Sequence, residues 1–70
     1  MSNDHIPTQE IKQDIMDTER EIEQMKREAE AFLLLGDRLS RMKYDHRISG
    51  IRERETFIDR LKNILRERVQ

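Results

Sequence analysis

Along the first half of the chain, apolar residues recur at Ile11, Ile15, Ile22, Met25, Ala29 and Phe32, with Thr18 filling the remaining place in an alternating four-and-three spacing. That spacing keeps a stripe on one side of an α-helix, and charged residues occupy most of the positions between. Held for about three heptads, it favours coiled-coil-like packing over a loosely amphipathic helix. Pro7 and Thr8 suit a helix start, because a proline has no amide hydrogen to leave unpaired in the first turn. The pattern predicts a polar lead-in over residues 1–7 and a helix over about 8–35.

The periodicity breaks at Gly36-Asp37 and again at Ser49-Gly50. Glycine accommodates the left-handed position just past a helix end, and aspartate is a good N-cap for the helix that follows. A reversal at 36–37 lays Ile22 against Ile51, Ile15 against Ile58, Met25 against Ile48 and Ala29 against Tyr44, with Thr8 and Ile11 near Leu61 and Leu65. It also sets Glu21 by Arg52, Glu19 by Arg54 and Asp14 by Arg60. A reversal at 49–50 matches Met42 with Phe57 and Leu35 with Ile64, but it opposes Leu39 to Arg60 and Arg38 to Leu61. It also leaves residues 8–28 without a partner in the chain. Register therefore favours the first turn. The expected fold is all-α: an antiparallel helical hairpin with a second helix over about 37–69 and a candidate kink at 49–50. Its seam is Ile11, Ile15, Ile22, Met25, Ala29, Tyr44, Ile48, Ile51, Ile58 and Leu65.

The second helix carries more apolar surface than one neighbour covers. At about 100° per residue, Tyr44, Ile48, Ile51, Ile58 and Leu65 form one stripe. Leu39, Met42, Phe57 and Ile64 form another, with Leu61 between the two. A two-helix hairpin has a single internal seam, so the second stripe calls for another surface. Leu39, Met42, Phe57, Leu61 and Ile64 are accordingly the expected interface, and a dimeric helical bundle is the simplest completion.

Composition points the same way. The 70 residues include 14 Lys+Arg, 15 Asp+Glu and no Cys, and 34% belong to the apolar types, so a core built by one chain alone is marginal. With no disulfide to draw on and zinc binding disfavoured, packing against another chain is the readiest source of further burial. The net charge of −1 conceals an asymmetry: residues 1–36 hold 4 basic and 9 acidic side chains, residues 37–70 hold 10 and 6. Two halves of opposite sign suit a hairpin whose helices attract each other.

The same residues argue against chemistry. His5 and His46 have no second strong ligand at helical spacing, and no HExxH motif or cysteine pair is present, so no metal site is expected. The two glycines are isolated, which removes a phosphate-cradling loop, and Ser2, Ser40 and Ser49 lack an elbow motif. No catalytic or cofactor-binding residues are expected. The longest apolar run, Phe32 to Leu35, is far short of the roughly 18 residues of a membrane span. The N-terminus has no secretory pattern, and the lack of cysteine fits a reducing, cytoplasmic setting. The reading is a non-enzymatic protein–protein interaction module: a self-associating helical adaptor, assembly element or regulator, with homo-oligomer and partner protein both expected. The alternative is a nucleic-acid-binding regulator using Arg38, Arg41, Arg52 and Arg60, which share one sector of the second helix. Against it, Lys43, Arg47, Arg54 and Arg68 lie nearly opposite, and acids are interleaved throughout.

Overall fold

The computed structural model describes residues 6–69 and consists of two helices, α1 (Thr8–Leu35) and α2 (Arg38–Val69). Arg68 meets Thr8 at one end and Arg47 meets Glu28 towards the other, so the helices are antiparallel neighbours in a hairpin. The molecule measures 49 × 19 × 17 Å, which is one helix long and two helices thick. Residues 1–5 of the expected lead-in, His5 among them, lie outside the described residues, as does Gln70.

Local chemistry sets the helix ends. Pro7 is extended at φ −59° and ψ 139°, and its carbonyl accepts from the amides of Glu10 (3.0 Å) and Ile11 (3.2 Å). At the other end of α1 the chain turns left-handed at Gly36 (φ 71°), where the Gly36 amide donates to the Phe32 carbonyl. A side chain there would crowd its own backbone, which is why glycine occupies the position. Asp37 then opens α2: its carbonyl accepts from the Arg41 amide at 3.0 Å. Interaction with the Ser40 side chain is the main cause holding the Asp37 carboxyl below its ordinary range, against an opposing desolvation and with smaller help from the local backbone and the Lys43 charge.

The core is the seam between the helices. From α1 it takes Ile11, Ile15, Ile22, Met25 and Ala29, and from α2 it takes Ile51, Ile58 and Leu61. Ile11, only 1% exposed, is the most deeply enclosed large side chain. Ile48, Ile64 and Leu65 pack half-buried against this row, and Tyr44 is half-buried.

One feature agrees with the expected single turn: α2 is one α-helix through Ser49 and Gly50, so no second turn divides it. Another differs: contacts across the seam fall further along α2 than a simple reversal at 36–37 implies. Met25 was expected opposite Ile48 but lies over Gly50, where a Cβ would come within 2.7 Å of its Cε. The ion pairs move likewise: Glu21 meets Arg54, Glu28 meets Arg47 (3.0 Å) and Glu19 approaches Lys62 (3.9 Å). The expected pairs Glu21–Arg52, Glu19–Arg54 and Asp14–Arg60 do not form. The cause is geometric. Side chains on a helix lean towards its N-terminus. In an antiparallel pair the α1 side chains therefore lean away from the turn and those of α2 lean towards it. An α1 residue accordingly meets one set deeper along α2.

Candidate docking surface

The end of α1 places apolar surface where a hairpin has nothing to cover it. Four apolar residues in succession, Phe32 to Leu35, spread around most of a helix, since each step turns by about 100°. One neighbouring helix shields only one side. Phe32 is half-buried, while Leu33, Leu34 and Leu35 are exposed, Leu34 at 88%. No basic side chain occupies this last turn. Leu39 and Met42 lie just beyond the turn, at 60% and 63% exposure. The result is an apolar end to the molecule.

On one flank of that end, Phe32, Leu39, Met42, Lys43, His46 and Arg47 line an open concavity of about 420 Å³. Its parts are held from both helices. The Lys43 Nζ sits 5.6 Å from the centre of the Phe32 ring, within cation–π range. Arg47 Nη2 donates to Glu28 Oε2 at 3.0 Å. The concavity is mostly apolar, with a cationic edge.

Further along the same face stands Phe57, 45% exposed. Leu39 and Phe57 are 18 residues apart, which is five whole turns and about 27 Å, so both point to the same side of α2. His46, Ser49, Gly50 and Glu53 interrupt the apolar surface between them. Of the five residues expected at an interface, the structure exposes Leu39, Met42 and Phe57. Leu61 is instead buried in the hairpin core, and Ile64 is half-buried against it. The seam curves across α2 towards these two positions, because a straight helix drifts about 20° per heptad relative to a 3.5-residue repeat.

The leucines at 33–35 were not among the expected site residues. The signal was present in the sequence: four consecutive apolar residues on a helix with one neighbour cannot all be covered.

Charge is distributed unevenly around α2. Arg47, Arg54 and Lys62 pair with α1, and Arg68 donates to the Ile6 carbonyl and the Thr8 hydroxyl. Arg38, Arg41, Arg52 and Arg60 are exposed and form no ion pair among the described residues. A second concavity, about 450 Å³, lies on the opposite flank. Glu19, Glu23, Glu55 and Asp59 line it together with Lys26 and Lys62, over a floor of Ile22 and Ile58. Among the described residues no group of three or more His, Asp or Glu is placed to hold a metal ion, and no helix is long and apolar enough to cross a membrane.

Comparison with protein-family models, with curated proteins and with solved structures finds no match to this chain.

Proposed function

We propose that the chain is a non-enzymatic protein–protein interaction module, a small self-associating helical adaptor or assembly element that works by docking apolar helix surface on a partner. The observation that carries this reading is the apolar end of the hairpin. Leu33, Leu34, Leu35, Leu39 and Met42 are all exposed within one narrow region. Exposed apolar surface concentrated in this way marks interaction sites in soluble proteins. Such a module suits an intracellular setting, in keeping with a chain free of cysteine.

The test is to replace Leu34 and Leu35 by Ser together and follow the protein in extracts of its source by size fractionation. Neither side chain belongs to the core, so helicity by circular dichroism stays at the wild-type level. The reading predicts that the wild-type chain runs in a larger complex and that the double variant leaves it. A double variant that stays in the same complex contradicts docking through this end.

A second reading rests on Arg38, Arg41, Arg52 and Arg60, whose exposed guanidinium groups are not engaged by α1. As a phosphate-binding edge they predict retention of duplex DNA or structured RNA that weakens steeply with salt and disappears when all four are neutralised. No retention at low salt removes this reading.

A further inference from the structure

The hairpin carries both a partly exposed projection and an open apolar recess on one face. The projection is the Phe57 ring; the recess is the concavity of Phe32, Leu39 and Met42 with its cationic edge at Lys43, His46 and Arg47. We infer that a second copy of this chain covers this face, with the two α2 helices antiparallel and the Phe57 ring of each copy seated in the recess of the other. The inference rests on the reading of the chain as a self-associating module and specifies how it does so.

Symmetry carries the argument. A two-fold contact uses the same patch on both subunits, so projection and recess must lie on the same side of the molecule. They do, because Leu39 and Phe57 are separated by a whole number of helical turns. A second copy laid antiparallel fills both recesses at once and leaves neither a free projection nor a free recess. A copy displaced along the helix fills only one and leaves the other to recruit a third chain.

The charges share the same centre. Leu39 and Phe57 are placed symmetrically about position 48, and so are Lys43 and Glu53, both exposed. The two-fold that brings Leu39 to Phe57 of the second copy therefore also brings Lys43 to Glu53 of that copy, and does so twice. In a parallel arrangement, Lys43 faces Lys43 and Glu53 faces Glu53, and like charges across a desolvated contact oppose association. The apolar and the charged positions thus select one orientation. The Lys43 ammonium, already held near the Phe32 ring, stands at the edge of the recess where an arriving carboxylate completes its surroundings.

Because the chain has no cysteine, the orientation is testable by disulfide trapping. Lys43→Cys and Glu53→Cys are made as separate single variants, mixed and oxidised, while molar mass is followed by light scattering. Both positions are exposed and outside the core, so folding is retained. The antiparallel pairing predicts a covalent dimer in the mixture and little from either variant alone, since like positions then stand about 15 Å apart, beyond the roughly 7 Å Cα separation that a disulfide spans. Phe57→Glu is predicted to raise the concentration of half-association at least tenfold without loss of helicity. Efficient cross-linking of Lys43→Cys to itself, as in a parallel pair, overturns the inference. So does a two-chain mass without mixed cross-links, which leaves self-association standing and its orientation wrong. A one-chain mass at every concentration overturns both.

Discussion

Gly36 and Asp37 end one helix and begin the next by separate devices, and each leaves a measurable trace. Gly36 holds φ 71°, so any other L-residue there is strained. Asp37 acts through its charge: interaction with the Ser40 side chain holds its carboxyl below the ordinary range, hence the folded state favours the ionised form. The stabilisation it supplies is full above the unfolded value of about 3.9 and is lost as pH falls through the lowered folded value. Asp37→Ala is therefore expected to lower the urea midpoint at pH 7, with a deficit that shrinks towards pH 3. An equal deficit at both pH values contradicts this. Gly50 is the opposite case, a glycine with ordinary helical backbone. Replacing it by Ala recovers up to about 1 kcal/mol of helix propensity. The new Cβ meets the far ends of two flexible side chains, Met25 at 2.7 Å and Arg54 at 3.3 Å, which shift to admit it, so the net effect on thermal stability is a small gain. A marked loss would show that the Met25 methyl has no other place to go.

The two helices were legible because periodicity, capping residues and charge asymmetry all agreed. The α1 stripe from Ile11 to Ala29 is the buried row, and the turn lies where glycine and aspartate adjoin. Pairing across the seam was less legible. The lean of side chains towards each N-terminus adds an offset that counting from the turn omits, as Met25 over Gly50 and Glu21 with Arg54 show. A straight-helix wheel sets Ile64 in an outer stripe and Leu61 between the two stripes; it misses their burial against the hairpin core for a related reason, because it ignores the slow drift of the seam across α2. Energetics at this scale follow burial. Ile22→Ala or Ile58→Ala removes a core side chain and is expected to cost about 2–5 kcal/mol. For a chain of this length total stability is roughly 4–10 kcal/mol, so either variant unfolds early in a thermal melt. Glu21→Ala breaks an ion pair whose side chains are 38% and 52% exposed, and its expected cost is below about 1 kcal/mol. A larger loss from Glu21→Ala than from Ile58→Ala would mean that charge, not apolar burial, holds the hairpin.

As a whole the molecule is one seam with apolar surface left over. Apart from Ile6 and Met16, the leftover surface divides into a leucine end, Leu33 to Leu35, and the α2 face from Leu39 to Phe57. The first is the proposed contact with another protein, the second the proposed contact with a second copy. Surplus apolar positions were legible in the sequence; which of them the hairpin itself absorbs was not, because that depends on the packing drift along two long helices. The central claim is that the chain associates with itself through α2. It is tested most directly by light-scattering mass behind a sizing column, over a wide concentration range, for the wild-type chain and Phe57→Glu side by side. The account predicts the mass of two chains for the wild type and of one chain for Phe57→Glu at equal helicity. One chain for both at every concentration, or two chains for both, contradicts it.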